Sequence, residues 1–272
     1  MSIKFAHQKN KAVRQHARQL LRGHRGTAAA LLLAGFLLAA STGFLPLLLD
    51  FAADKAAAAI PNHTPMAELG LRWGKAAGAV LLAGLAALLC APLRVGREAW
   101  FYGGADGRKR SPARVLFWLQ PRWALKAARF VLTLSCLKLL WAVPYLLPGG
   151  VLLAGTVWQA RAGELSMGLF LSALGGGAAL LLLGLVFYGA TIQRYALVLP
   201  VLVKQPRCRL RNALALSAAR TDGQCAALLR FRLALLPWVA LSLPVLPLLF
   251  TAPYITQAMA CRHAQLLQGG VE

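Results

Sequence analysis

Apolar residues along this chain come in long blocks, not at amphipathic spacing. The first block is TAAALLLAGFLLAASTGFLPLLL, Thr27 to Leu49. Others cover 74–93, 127–147, 165–190, 225–243 and 248–267. Each is long enough to cross a hydrocarbon core of roughly 30 Å, which takes about 20 predominantly apolar residues as a helix. The pattern predicts an all-α fold: a polytopic membrane helix bundle of about six transmembrane helices, arranged as three hairpins. Residues 1–26 form a basic cytoplasmic segment, and 27–272 a single membrane domain. The helix of the fourth block is expected to run on toward Val203, whereas the sixth is bounded by Arg262 and His263, which have to sit at or beyond its cytoplasmic end.

Polar positions repeat in step with these hairpins. Arg14, Arg18 and Arg22 share one helical face, with Val13, Ala17, Leu20 and Leu21 turned to the other. Arg122, Lys126 and Arg129 recur at i, i+4 and i+7, with Pro121 placed for a first helical turn. Arg207 and Arg211 lie one turn apart beside Leu210, Ala213, Leu214 and Ser217. Such segments are expected to lie in the inner interface, apolar face in lipid and basic face toward the phosphates of anionic phospholipids. Those eight basic residues are the candidate head-group contacts; ordinary positive-inside loops are the plainer reading.

Charge then fixes the orientation. Placing both termini in the cytoplasm puts 26 of the 30 Lys and Arg inside and leaves only Lys55, Arg72, Lys75 and Arg161 outside, as the positive-inside rule requires of an even number of spans. The first block is preceded by too long a basic stretch, and is itself too long, for a cleaved signal peptide. A net charge of +22 would suit nucleic acid, but the basic residues flank apolar blocks and do not cover a soluble face, so no nucleic-acid partner is expected. Trp73, Trp141 and Trp158 fall at expected outer ends, and Trp100, Trp118 and Trp123 in the inner basic loop, where indole rings suit the head-group layer. Trp238 fits poorly, well inside the fifth block.

Prolines and glycines predict breaks. WAVPYLLPGG, Trp141 to Gly150, is expected to end a helix and leave Val151 to Ala160 as a short external interfacial or re-entrant segment. PWVALSLPVLP, Pro237 to Pro247, is expected to close the last hairpin. Small residues at four-residue spacing (Gly35, Ala39 and Gly43; Ala79, Ala83, Ala87 and Ala91; Gly168, Ser172 and Gly176) predict helix-packing faces, with homo-oligomerisation as the sharper option. Gly175 to Gly177 invites a kink.

Little of this pattern carries chemistry. The five histidines are scattered, without the one-turn pairing of a zinc protease, so no metal site is expected. Asp50 and Asp54 sit together at an outer helix end, a cheap place for carboxylates, with cation or substrate contact as the alternative. No cysteines form a CxxC pair, and they read as reduced fillers. Lys138 is the single candidate intramembrane polar site. A lysine at mid-depth costs about 2.5–3.5 kcal/mol on insertion scales, so the preferred reading has it snorkelling to the cytoplasmic head groups. No catalytic or cofactor-binding residues are expected.

Several short elements form a set: Leu21-Arg22-Gly23 before the first span, Pro148-Gly149 after the third, Tyr195-Ala196 at the end of the fourth, Pro206 followed by a helix with Ala213 and Ser217, and Pro253-Tyr254 opening the last. With these elements the chain resembles an uncharacterised bacterial integral-membrane family, domain of unknown function 975. It departs at His24 and Arg25, where that family has Asn-Trp, and at Arg262 and His263, where it has Phe-Tyr. The layout is also similar to the membrane domain of glycerophosphodiester phosphodiesterases, without their soluble catalytic domain. The resemblance implies a bacterial inner-membrane location and no known reaction. The expectation is a non-enzymatic multi-pass protein that acts as a scaffold or engages lipid or a membrane-protein partner; the alternative is a small transporter or lipid-handling protein.

Overall fold

The computed structural model describes residues 3–58, 65–108, 110–111, 113–163, 166–240 and 245–268. Helix is the only regular secondary structure among them: α1 (Ile3–Leu21), α2 (Arg25–Ala58), α3 (Pro65–Ala105), α4 (Ala113–Leu119), α5 (Pro121–Arg161), α6 (Met167–Thr191), α7 (Val198–Lys204), α8 (Leu210–Thr221), α9 (Cys225–Leu233), α10 (Leu236–Ala240) and α11 (Val245–Gln268), with a 3-10 turn at Ile192–Tyr195. Among the described residues three helical stretches, Trp73–Ala105, Pro121–Arg161 and Met167–Lys204, are long and apolar enough to cross a membrane; α1 and α2, bent by 95°, meet the same criterion as a pair. The chain forms two compact units, one of Met1–Leu132 with Trp238–Arg262, the other of Thr133–Pro237 with His263–Glu272.

In the first unit, α3 has 41 residues and is about 60 Å long at about 1.5 Å per residue, twice a bilayer core. Its character changes once along that length. Trp73, Val80, Leu81, Leu85, Leu88 and Leu89 are exposed, as are Leu33, Phe36, Leu37 and Phe44 of its packing partner α2. From Ala91 onward the helix buries Val95, Ala99, Trp100, Phe101 and Tyr102. Exposed apolar faces of this extent belong in lipid, and the change falls just before Arg94, the first charge of the inner basic region.

The buried half gathers α1, α4, the start of α5 and α11. Val13, Ala17 and Leu21, one stripe of α1, are at most 4% exposed. The apolar face expected in lipid is therefore packed in protein, because burying it against α3 satisfies it equally. Gly96 lets α4 approach: a Cβ there would stand 3.0 Å from the Val115 side chain. Phe117, Trp118 and Trp123 pack together, with Phe117 and Trp123 centroids 4.9 Å apart. Trp100 and Trp118, expected at head groups, are core residues instead, 3% and 2% exposed. The segment carrying Arg122, Lys126 and Arg129 is the opening of α5, beginning at Pro121 as expected, and not a separate interfacial helix.

In the second unit α5 and α6 form an antiparallel hairpin around a turn with Gly163 at φ 76°. α5 runs unbroken through Pro144, Pro148, Gly149 and Gly150, and includes the Val151 to Ala160 stretch that was expected to stand apart. Two prolines four residues apart delete one ladder bond each, whereas ending the helix would strand many backbone groups without partners. The glycines are spent on packing. A Cβ on Gly149 would lie 2.8 Å from the Leu181 backbone, one on Gly184 would strike the Tyr145 carbonyl oxygen, and one on Gly177 would meet the Leu152 and Leu153 side chains at 2.8 Å. The expected face of Gly168, Ser172 and Gly176 is exposed instead, and α6 passes through Gly175–Gly177 without interruption. The packed positions are Gly177 and Gly184, two turns apart.

Trp141 donates to the Tyr195 hydroxyl at 3.0 Å and stacks on Tyr145, which stacks on Phe187. It therefore sits beside the Ile192–Tyr195 end of α6, opposite the hairpin turn. Beyond α6 the buried run Leu197 to Leu202 is fastened to α8 by Ser217, whose hydroxyl donates to the Arg194 carbonyl at 2.6 Å and accepts from the Leu197 amide at 3.2 Å. The expected fifth span, 225–243, is not one helix. α9 stops at Leu233, a turn intervenes, α10 ends at Ala240, and 241–244 lie outside the described residues. Asp50, Asp54 and Gly43 also fall where side chains are not described.

Candidate functional site

The first unit contains a groove of about 620 Å³ at the corner between α1 and α2. The corner is made by the turn after Leu21, where Gly23 takes φ 82°, a conformation that glycine adopts without strain. The turn closes with the Arg22 amide on the Gln19 carbonyl and the His24 amide on the Leu21 carbonyl, both 3.1 Å. It brings Arg18, from the last turn of α1, and Arg22, in the turn itself, beside Arg25, which opens α2.

Mostly apolar groups, with Thr251 among them, complete the walls. Leu21, Gly26 and Ala29 come from the corner itself, Trp238 from α10, and Phe250, Pro253 and Tyr254 from α11. The Arg18 guanidinium lies 5.5 Å from the Trp238 ring centre and 5.3 Å from that of Tyr254, and the two rings meet edge to face at 5.3 Å. A cation held over two aromatic faces keeps its position without a carboxylate. The lining contains three guanidinium groups and no acidic side chain.

What holds α1 in place lies behind the groove. Arg110 donates to the Leu20 carbonyl at 2.8 Å and to Gln257 Oε1 at 2.9 Å, with its guanidinium 4.7 Å from the Trp100 ring centre. A cation on the terminal carbonyls of a helix satisfies groups the helix cannot and complements its dipole. Gln257, fully buried, turns its amide nitrogen to the Phe101 carbonyl at 3.4 Å. Burial lowers the Arg110 pKa from its ordinary value, yet an arginine remains a cation at any physiological pH. Gly104 leaves room for the Arg110 side chain, which a Cβ would displace.

Of the eight basic residues singled out in the sequence, Arg18 and Arg22 are brought together. Arg14 is half-buried and donates to the Asn10 carbonyl within its own helix. Lys126 lies over the Trp123 and Phe130 rings at 5.9 and 6.0 Å, while Arg122 and Arg129 are exposed. Arg207, Arg211 and the half-exposed Lys138 belong to the second unit. Sequence reasoning misses Arg110 and Gln257 outright; Arg25, Trp238 and Pro253-Tyr254 stand out in the sequence for other reasons, a departure from a motif, a poorly placed indole and a shared motif. Among the described residues no three His, Cys, Asp or Glu side chains gather as a metal site would need. The groove offers charge and apolar surface for holding an anion that carries an apolar part. Comparison with known proteins finds no matching family model, no matching curated protein and no matching solved structure.

Proposed function

We propose that this chain is a non-enzymatic, multi-pass protein of the bacterial inner membrane, with both termini cytoplasmic, whose basic inner side engages anionic phospholipid. The observation that carries the reading is the change along α3, from an exposed apolar face over Trp73 to Leu89 to a buried face amid basic residues after Ala91. It gives one helix both a lipid-facing half and a half anchored at the inner surface. In this reading α2, α3, α5 and α6 make four crossings, and the broken α9–α10 segment and α11, whose Trp238 and Tyr254 lie beside Arg18, stay at the inner surface. The 26 inner basic residues against four outer ones support that orientation.

Lys138 fits the same frame. Trp141 to Arg161 rises about 30 Å at about 1.5 Å per residue, a full hydrocarbon thickness. With Arg161 among outer head groups, Lys138 falls just inside the cytoplasmic ones, where it is an anchor. The glycine-packed α5–α6 hairpin supports a scaffold over a transporter, whose ionisable site would belong at mid-depth. Replacing Lys138 by Gln should then leave insertion and thermal stability unchanged within about 0.5 kcal/mol, as at other surface positions; a large loss would put it in a buried role.

Topology reporters test the main reading. A fusion after Asn62 should report an external location and a C-terminal fusion a cytoplasmic one. Cytoplasmic activity from the Asn62 fusion would overturn the orientation.

A further inference from the structure

We infer that the corner groove of α1, α2, α10 and α11 holds one anionic phospholipid, its phosphodiester between Arg22 and Arg25 and an acyl chain along Ala29 and Phe250. This rests on the proposed inner-membrane reading and makes it specific to one site.

Charge complementarity selects the occupant. Three guanidinium groups share the lining without a carboxylate, and Arg18 is already engaged by Trp238 and Tyr254. Arg22 and Arg25 are both exposed, and their donor forks match phosphate oxygens in a bidentate way that a lysine would not. A free anion would use those groups alone, leaving the apolar remainder of the groove unexplained. A lipid without phosphate would use the apolar part and leave the two cations unpaired, and a zwitterionic phospholipid would bring its own ammonium group against them. An anionic phospholipid uses both.

The order of the lining agrees with that of a lipid. Moving along α2, Arg25 opens the helix, Gly26 follows, and Ala29 lies one turn further toward the exposed apolar stretch of Leu33 to Leu37. Across the groove, Tyr254 is 8% exposed and Phe250, one turn away, is 71% exposed. Head group to acyl chain therefore runs in the direction in which α2 enters the apolar zone. Gly26 leaves room, since a Cβ there meets nothing within 4 Å. The volume of about 620 Å³ lies within the roughly 300–1,000 Å³ of small-molecule sites.

The test uses the purified full chain in detergent, with native mass spectrometry reading lipid adducts. The probes are phosphatidylglycerol, phosphatidylcholine of the same acyl chains, and inorganic phosphate alone. Phosphatidylglycerol should be retained at one equivalent, about tenfold above phosphatidylcholine, because the choline ammonium of the latter is repelled by the three guanidinium groups of the lining. The double change Arg22→Gln with Arg25→Gln should remove that preference. Gly26→Leu, which keeps every charge and suits a helix, should lower retention of phosphatidylglycerol by filling the chain path. Arg207→Gln with Arg211→Gln, which removes as much charge but lies in the second unit, should leave the one-equivalent adduct in place. If the two arginine pairs reduce phosphatidylglycerol equally, the binding is diffuse: the groove proposal falls and the basic inner side stands. If the wild-type chain shows no preference for phosphatidylglycerol, both fall. Retention of inorganic phosphate as strong as that of the lipid, or full retention in Gly26→Leu, overturns the acyl-chain assignment.

Discussion

Gly184→Ala should cost the protein about 1–3 kcal/mol, the usual penalty for overpacking a fitted core and a heavy one for a single methyl group. A Cβ at this position strikes the Tyr145 carbonyl oxygen, and its carbonyl carbon stands 3.0 Å away. The obstacle is backbone, so no rotamer change relieves it; α5 and α6 have to separate. Gly149→Ala meets the backbone of Leu181 at 2.8 Å and should behave similarly. Gly177→Ala meets only the tips of Leu152 and Leu153 and should cost less. Gly176→Ala is the control. It lies on the same helix, has nothing within 4 Å, and should be neutral or stabilising by up to about 1 kcal/mol through helix propensity. Thermal unfolding of the four purified variants in one detergent checks the series. Equal midpoints for Gly184→Ala and Gly176→Ala would mean the hairpin is not held by backbone approach. In lipid the point matters more than in water, because apolar surface gains little by leaving lipid for protein and close packing has to supply the association.

The same hairpin shows what the sequence could and could not disclose. Helical class and the presence of membrane-length apolar helices follow from block length and charge, which are local properties. Which small residues face a partner does not, since Gly168, Ser172 and Gly176 keep the four-residue spacing of a packing face and yet are exposed. The choice depends on the rotation of α6 against α5, which no residue of α6 alone encodes. Pro144 and Pro148 misled for a related reason: proline is a strong punctuator where water can take over the freed carbonyls, and a weak one where only protein and lipid are at hand. Trp100 and Trp118 were assigned by a statistical preference for interfaces, while the local arrangement of α3, α4 and α5 offered a better place to bury them. The corner groove was half legible. Arg18 and Arg22 belong to a visible amphipathic stripe, but Trp238 and Tyr254 are more than 200 residues away in the sequence, and only folding brings them to α1. Ser217 and Tyr195, noticed as motif residues, act in the second unit as fasteners of α8 and α5.

Arg110→Met should free α1. The substitution leaves the Leu20 carbonyl and Gln257 Oε1 without the donor that serves both, and removes the cation from the Trp100 ring. Hydrogen bonds to charged groups contribute about 1.5–3 kcal/mol each, and since Arg110 is only half-buried a loss near about 2–3 kcal/mol in total is expected. That loss should appear first as local opening of α1 and only then as global unfolding, because Arg110 bonds the last turn of that helix. Limited trypsin digestion reads it directly: α1 carries Lys11, Arg14 and Arg18, and cleavage there should accelerate on the order of 30-fold or more if cutting follows the opened population. Arg110→Lys keeps the charge but is a single compact ammonium without a planar fork. It can reach one acceptor but not bridge both, so it should recover less than half of the protection. Gln257→Leu removes the arginine's second acceptor and the amide contact to the Phe101 carbonyl, giving an intermediate effect. Unchanged cleavage of α1 in Arg110→Met would show that the apolar stripe of Val13, Ala17 and Leu21 holds the helix unaided. If cleavage rises as expected, retention of anionic lipid should fall in parallel, although Arg110 does not line the groove, because Arg18 and Arg22 are positioned there only while α1 is docked.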